Sequence, residues 1–385
     1  MLVGYEETDE RRLLRESVRK FAENEIKPLV AQAEAEQRFP LQLLKQMGEL
    51  GFLGVNGPTE YGGGGLGMVE AVIIHEEIGR VSIGFLSGIL VAGYLSPSAI
   101  WTLGTHEQKT KYVLPALRGE SVTAFGASEV NAGNDIRAIQ TIARDCGDHY
   151  LINGHKTFNT MGPVASSQVI LAYLEKNEEE ERPMVFLLVD IDMPGVEVVR
   201  VRKHAFKGSD MGEVFLKDVK VPKANLLGDE SGAGRGELMR VFDSERILVA
   251  ARCIGLAQSA YELALTQVGE REQFARPIGE FQGTGFKIAE MLTDIRAARL
   301  LTYNAASLFD QDIEHKLDTA TAKLFAIQTA ERCASACLQI HGGWAMIEGV
   351  HDEVVRNFMD SRVSLVTTGS TEVQKQIICR LLGVM

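Results

Sequence analysis

The sequence predicts an α+β multidomain protein: an N-terminal helical domain, a middle antiparallel β barrel or sandwich, and a C-terminal domain like a four-helix bundle. Three observations carry this. Apolar residues recur at helical spacing through the first hundred-odd residues, β-branched and aromatic segments of strand length crowd the next hundred, and long Ala-rich helical patterns with short loops fill the rest. The boundaries fall at residues 1–118, 119–226 and 227–385. A chain of 385 residues exceeds the size at which one core keeps growing, so several packed units are expected.

In the first unit, Leu14, Val18 and Phe21 fall at i, i+4 and i+7 within a helix running from Thr8, a candidate N-cap, to about Arg38. A second helix, Leu41 to about Leu50, stops at Gly51. The loop Gly57-Pro58-Thr59-Glu60-Tyr61-Gly62-Gly63-Gly64-Gly65 is either a flexible connector or a backbone passing close to a neighbour. Helical pattern returns from Val69 to about Arg118. The β unit is announced by Tyr150-Leu151-Ile152, Val169 to Tyr173, Val185 to Val189 and Val196 to Val201, with Asn153-Gly154 expected as a turn and Val219-Lys220-Val221-Pro222 as its close. After a hinge, Gly232-Ala233-Gly234-Arg235-Gly236, Ile247, Ala251 and Ile254 share one helix face, and Phe286–Phe309 and Leu317–Ile340 read as further helices.

Composition excludes several classes. Hydrophobic residues at 45% and charged residues at 24% are ordinary for a globular protein, and no apolar run of 18 residues is seen, so no membrane span is expected. The start of the chain passes directly into Glu6-Glu7-Thr8-Asp9-Glu10-Arg11-Arg12 without the apolar core of a secretory signal, which favours a cytoplasmic enzyme. The net charge of -12 argues against a nucleic-acid partner. Cys146, Cys253, Cys333, Cys337 and Cys379 form no Cys-x-x-Cys pair, so buried free thiols are expected, with neither disulfide framework nor metal site. No Gly-x-Ser-x-Gly elbow, Walker loop, Gly-x-Gly-x-x-Gly after a strand or His-Glu-x-x-His is present.

The most telling stretch is the C-terminal turn Leu365-Val366-Thr367-Thr368-Gly369-Ser370-Thr371-Glu372, which closes one helix and opens another and offers amides and hydroxyls to an anion. With it stand Phe125 to Asp135, Asn153 to Thr160, Lys207-Gly208-Ser209-Asp210, Arg271 to Ile278 with Phe281-Gln282, and Gln339-Ile340-His341-Gly342-Gly343. In order, spacing and helix–β–helix layout, these six patterns resemble the acyl-CoA dehydrogenase flavoproteins over essentially the whole chain.

The resemblance implies an FAD cofactor, an acyl-CoA substrate, an electron-transfer flavoprotein as acceptor and a homo-oligomer, usually a tetramer. It implies that Phe125, Ala127 and Ser128 line the flavin ring, that Phe158 and Thr160 lie beside it, and that Ser128 keeps a hydroxyl where Thr is usual. Such donors stabilise negative charge on the ring's N1–O2 edge. It further implies that Arg271 and Phe274 reach a neighbouring subunit's FAD, and that Gln282, Gln339, Gly342, Gly343, Ser370 and Glu372 are further FAD contacts. Asn134, Phe242, Asp243, Arg246 and Gly369 fall at the substrate. Ala275 and Ala345 stand where the family often has glycine, Val130-Asn131 replaces Pro-x, and Asn134 replaces a Ser.

The family's reaction needs a carboxylate to take the α-proton of a thioester while the β-hydride leaves. Many members carry that carboxylate directly before the Gly of the C-terminal turn. Here the position is Thr368, whose hydroxyl is too weak a base, although its backbone N–H still suits the thioester carbonyl. Other members carry the base before an arginine on another helix, which selects Glu245 in Phe242-Asp243-Ser244-Glu245-Arg246. The expected activity is therefore an acyl-CoA dehydrogenase with Glu245 as base. The alternatives are an enoyl-CoA reductase or cyclic acyl-CoA oxidation with another acid, and a catalytically silent flavin- or CoA-binding paralogue.

Overall fold

The computed structural model describes residues 7–175, 182–231 and 235–385. Residues 1–6 and 232–234, and with them the first residues of the chain and most of the glycine hinge, lie outside the described residues.

Helices open the chain: α1 (Asp9–Phe21), α2 (Val30–Glu36), α3 (Gln42–Glu49), α4 (Met68–Val81), α5 (Ile83–Leu90), α6 (Ser96–Leu103), the single turn α7 (His106–Gln108) and α8 (Leu114–Leu117). Thr8 caps α1, its hydroxyl accepting from the Arg11 amide at 3.3 Å, and Val18 and Phe21 are buried on the face their spacing marks. The glycine loop is a self-packed turn rather than a slack connector. A Cβ on Gly63 would lie 2.4 Å from Gly57 backbone, and one on Gly64 would lie 2.4 Å from the Val55 carbonyl oxygen.

Eight strands follow: β1 (Thr123–Gly126), β2 (Ile142–Asp145), β3 (His149–Thr160), β4 (Ser167–Glu175), β5 (Met184–Asp190), β6 (Val196–Arg200), β7 (Met211–Pro222) and β8 (Leu226–Leu227). They form one sheet in the order β6-β7-β3-β2-β4-β5-β8. Its pairings are antiparallel except that β1 and β2 both run parallel to β4, and because β5 takes the other edge of β4, these two lie end to end along the same edge. The chain between them, residues 127–141, leaves the sheet.

Asn153-Gly154 is not a turn, contrary to expectation. It sits inside β3 as an irregularity opposite β7, where Asn153 donates to Asp218 at 3.1 Å and accepts the Asp218 amide at 2.9 Å. The polar side chain that would close a hairpin is satisfied by the neighbouring strand. A Cβ on Gly154 would meet the Thr141 hydroxyl at 2.2 Å, so glycine is needed there for close approach.

The remainder is α9 (Arg235–Glu270), a hairpin of β9 (Glu272–Gln273) and β10 (Arg276–Pro277), then α10 (Gln282–Asp310), α11 (Lys316–His341), α12 (Asp352–Ser364) and α13 (Thr371–Leu381). The three stretches of sequence build two cores. Helices from both ends share one, in which Ile74 and Ile78 of α4 join Ile247 and Ile254 of α9, Ile295 of α10 and Ala330 of α11. The sheet keeps a smaller one around Tyr150, Ile170, Leu187 and Val214. A buried polar knot ties the two ends together: Glu76 accepts from Tyr303 at 2.6 Å, Arg299 at 2.8 Å and Arg15 at 3.3 Å.

Helical continuity produces longer apolar windows than the raw sequence suggests. Ile83–Leu103 and Met239–Glu270 are long and apolar enough to cross a membrane, but their apolar windows are 100% and 78% buried inside the fold, as core helices are. All five cysteines are free. Cys253, Cys333 and Cys337 are buried as expected, whereas Cys146 is exposed between β2 and β3 and Cys379 is half-buried.

Candidate active site

The excursion between β1 and β2 is pinned from within. Glu129 turns back into the protein, where its carboxylate accepts from the Thr141 hydroxyl at 2.5 Å, the Thr141 amide at 3.0 Å and the Gln140 amide at 2.5 Å, and pairs with Lys156 of β3 at 2.7 Å. Burial pushes the Glu129 carboxyl up, but Lys156, Thr141 and the Gln140 amide outweigh it and hold the group below the usual carboxylate range. Lys156→Met is expected to lower stability by about 3–5 kcal/mol, because it strands a buried carboxylate. Differential scanning calorimetry checks this. The Glu129 contribution is present above the ordinary carboxylate value of about 4.3 and is lost as pH falls through its depressed folded value, so the difference between the two proteins should shrink in acid.

So pinned, the end of β1 and the loop present Phe125, Ala127 and Ser128, all half-buried. The Phe125 ring packs 6.2 Å edge-on from Phe242 of α9, which seats the long C-terminal helix against β1. Beside it Phe158 sits at a φ of 53° with its side chain 70% exposed, followed by half-buried Thr160.

The C-terminal turn meets the same excursion at Asn134. Thr368 and Gly369 are consecutive left-handed residues, φ 56° and 78°, a conformation that costs a β-branched residue about 1–2 kcal/mol. Buried Lys323 of α11 supports the turn from below, donating to the carbonyls of Thr367 at 3.1 Å, Thr368, and Gly369 at 2.8 Å. Arg252 of α9, also buried, donates to Ser87 of α5 at 3.2 Å and to the Thr367 hydroxyl at 3.3 Å. The Thr368 hydroxyl donates to Glu245 Oε1 at 3.2 Å. Among the described residues no acceptor pairs with the Thr368 amide. Asn134, expected at the substrate, bonds Ser370, donating to its hydroxyl at 3.1 Å and accepting its amide at 3.4 Å. That contact joins the middle unit to the turn.

Glu245 keeps part of its surface open toward a narrow pocket walled by Leu90, Tyr94, Leu95, Trp101 and Leu248. Burial raises the Glu245 carboxyl above the usual range; Lys323, Arg252, Arg246 and the Thr368 hydroxyl oppose the shift without cancelling it. Lys323 is drawn down to about 7 by burial, with Glu245 opposing. Asp243 and Arg246, expected to orient the base and the CoA arm, engage each other at 2.5 Å one turn apart on α9.

A second group lies apart. Phe274 and Ala275 form the tip of the β9–β10 hairpin, both at positive φ (53° and 59°), and Phe274 is 89% exposed. With Gln339 it lines an open groove, whose lining includes none of the residues around Thr368. Arg271 is exposed at the hairpin base, Gln282 begins α10, and Gly342 and Gly343 follow the end of α11. Glu372 is held down to about 2 by the hydroxyls of Ser370 and Thr371 at the start of α13.

Donor chemistry at the first group suits a flavin. The Ser128 amide and hydroxyl and the Thr160 hydroxyl have no protein partner among the described residues, and Phe158 offers an open aromatic face. The chain's three segments match the acyl-CoA dehydrogenase N-terminal domain over residues 8–120, the middle domain over 124–219 and the C-terminal domain over 232–383. The chain belongs to the acyl-CoA dehydrogenase family. It is thus a flavin-dependent oxidoreductase acting on the CH–CH bond of acyl-CoA thioesters, with FAD as cofactor.

The short-chain specific acyl-CoA dehydrogenase of Clostridium acetobutylicum is 36% identical over 374 residues, 96% of this chain and 97% of that one. The caffeyl-CoA reductase–Etf complex subunit CarC of Acetobacterium woodii is 35% identical over 378 residues, 97% and 98% of the two chains. A solved glutaryl-CoA dehydrogenase in complex with glutaryl-CoA superposes with a TM-score of 0.93 at 33% identity, covering 100% of this chain and 98% of that one.

Sequence reasoning missed Lys323, Arg252 and Lys156. The signal was present for the first two: Lys323 falls on the buried stripe of α11 with Ala322, Ala326 and Ile327, and Arg252 lies among Ala251, Cys253 and Ile254. A charge inside an apolar stripe is costly unless paired. It gave Thr368 a role through its backbone N–H alone, and the hydroxyl's bond to Glu245 had no sequence signature.

Proposed function

We propose that this acyl-CoA dehydrogenase uses Glu245 to take the α-proton of the bound thioester while the Thr368 amide polarises its carbonyl. The observation that carries the reading is the 3.2 Å bond from the Thr368 hydroxyl to Glu245 beside an amide with no acceptor among the described residues. One residue thereby sets the base and the carbonyl donor in a fixed relation, which is what proton removal next to a carbonyl requires. Ser128, Thr160 and Phe158 would hold the isoalloxazine of FAD, which supplies the hydride acceptor for the β-carbon. Leu90, Leu95 and Leu248 keep water from the acyl chain, and Glu245 ends the step as a carboxylic acid.

The reading includes a homo-oligomer, a tetramer, in which Arg271 and Phe274 serve a neighbouring subunit's FAD, with Gln282, Gln339, Gly342 and Gly343 as further FAD contacts. Its support is the separation of that groove from the Thr368 turn and the near-complete exposure of Phe274. Phe274→Ala is expected to leave the fold intact, as judged by circular dichroism, yet to purify with less than half the FAD per chain, read from the absorbance ratio. Full occupancy would remove these residues from the cofactor site. Electron-transfer flavoprotein is the proposed acceptor, a relation that CarC's name records for that protein.

The experiment is anaerobic titration of the yellow protein with straight, branched and cyclic acyl-CoAs, followed by bleaching of the flavin band. Bleaching by at least one supports dehydrogenation. CarC is a reductase, and in that direction Glu245 would be the proton donor to the α-carbon. Reoxidation of dithionite-reduced protein by an enoyl-CoA, with no bleaching by any acyl-CoA, therefore assigns the reverse direction. A protein that responds to neither is a silent paralogue.

A further inference from the structure

The pocket facing Glu245 carries more polar groups than an alkyl chain needs and, apart from the Trp101 indole N–H, which bonds no group among the described residues, all but one are spoken for. Ser98 donates to the Leu95 carbonyl at 2.9 Å, Ser244 to the Val241 carbonyl at 2.8 Å, and Tyr94 to the Phe52 carbonyl at 2.6 Å. The exception is Asn56. Its Oδ1 is shut away from solvent without a partner, and its Nδ2 bonds no group among the described residues. The side chain does not drift free of the site. Gly57, the next residue, lies against the Trp101 ring so closely that a Cβ there would meet it at 2.8 Å, and Trp101 is itself part of the pocket wall.

An amide left unpaired in such a place costs about 1–3 kcal/mol per group, a cost recovered when a ligand supplies the missing partner. The lining also bears on the charge of that partner. Glu245 is the one carboxylate in that lining and no lysine, arginine or histidine joins it there; Lys323, Arg252 and Arg246 behind it already oppose the Glu245 charge, so a second carboxylate entering the pocket would lose its water with no further cation in the wall to receive it.

We propose that the acyl group carries a neutral hydrogen-bonding oxygen, a hydroxyl or carbonyl beyond its reacting carbons, and that Asn56 is the residue that selects it. This rests on the reading of the Glu245 pocket as the acyl site. The amide serves either kind of oxygen, since it presents a donor and an acceptor on one planar group. The apolar walls formed by Leu90, Leu95 and Leu248 accept the methylenes between. A plain alkanoyl chain of equal length fills the same space and leaves Asn56 unpaired.

The test separates recognition from turnover by calorimetric titration of the FAD-loaded Glu245→Gln enzyme. The probes are two isosteric pairs, 4-hydroxybutyryl-CoA against pentanoyl-CoA and 5-hydroxypentanoyl-CoA against hexanoyl-CoA, with glutaryl-CoA as the charged arm. At least one hydroxyacyl thioester should bind about 10-fold tighter than its isostere, the effect of one hydrogen bond of about 1.4 kcal/mol. Glutaryl-CoA should bind more weakly than that hydroxyacyl-CoA. Adding Asn56→Leu should collapse the ratio to near one, while Asn56→Ser, which keeps a short polar group, should retain part of it; equal melting temperature and FAD content show that both variants fold. Equal affinities within both pairs, tighter binding of glutaryl-CoA, or a preference that survives Asn56→Leu overturns the proposal. Failure of every acyl-CoA to bleach the wild-type flavin counts against dehydrogenation instead, and leaves the calorimetric answer standing.

Discussion

Glu245→Gln is expected to slow anaerobic flavin bleaching by acyl-CoA about 10²–10⁴-fold, the range over which a positioned general base acts. Gln keeps the shape and can still accept the Thr368 hydroxyl, so the CoA thioester should bind nearly as before. The defect then appears in kcat, with KM little changed. The wild-type pH profile follows from the sign of the shift. A base works deprotonated, and burial raises Glu245 above the ordinary carboxylate value, so the acid limb of kcat should fall at a pH above about 4.3. Unchanged bleaching in the Gln variant would move the base to another residue. Thr368 is not the alternative: its hydroxyl already donates to Glu245.

Lys323→Met should produce the second largest effect, by two separable routes. Met fills the volume but offers no donors, leaving the carbonyls of Thr367, Thr368 and Gly369 without the group that holds them, in a turn whose two central residues are left-handed. At about 1–3 kcal/mol per stranded buried group, partly relieved by water, a loss of roughly 2–4 kcal/mol is expected by chemical denaturation. The other route is electrostatic. Lys323 stands first among the groups that oppose the upward shift of Glu245, so removing it should carry the acid limb of kcat to still higher pH. Lys323→Arg, which keeps charge but cannot place three donors on one nitrogen, should restore the limb more fully than the stability. A Met variant with the wild-type profile and midpoint would show that the lysine neither holds the turn nor influences the base.

Much of this was legible in sequence, and the reasons are physical. Val18, Phe21, Ile247 and Ile254 are buried because helical periodicity already sorts them to one face, and Thr8 caps because a hydroxyl before an acidic first turn does little else. Asn153-Gly154 misled because an Asn side chain satisfied across strands cannot be told from one that closes a hairpin until Asp218 is seen opposite. The site was half legible. Glu245 and Thr368 could be named, but their bond joins residues 123 apart in sequence. Lys323 and Arg252 stand inside apolar stripes, but the groups that pair with them are decided by which helices meet.

The single core shared by the two ends of the chain has a consequence for synthesis. When residue 118 leaves the ribosome, the face of α4 bearing Ile74 and Ile78 is complete but its partners are not. Ile254 of α9 and Ala330 of α11 follow well over a hundred residues later. At about 5–20 residues per second that wait is roughly 10–40 s, during which an apolar face that later becomes interior is held open to other chains. The sheet, with its own core, closes in the meantime. Nascent chains stalled before α9 should therefore carry a protease-resistant middle unit between an unprotected N-terminal segment and the ribosome, and should be the species on which chaperones act.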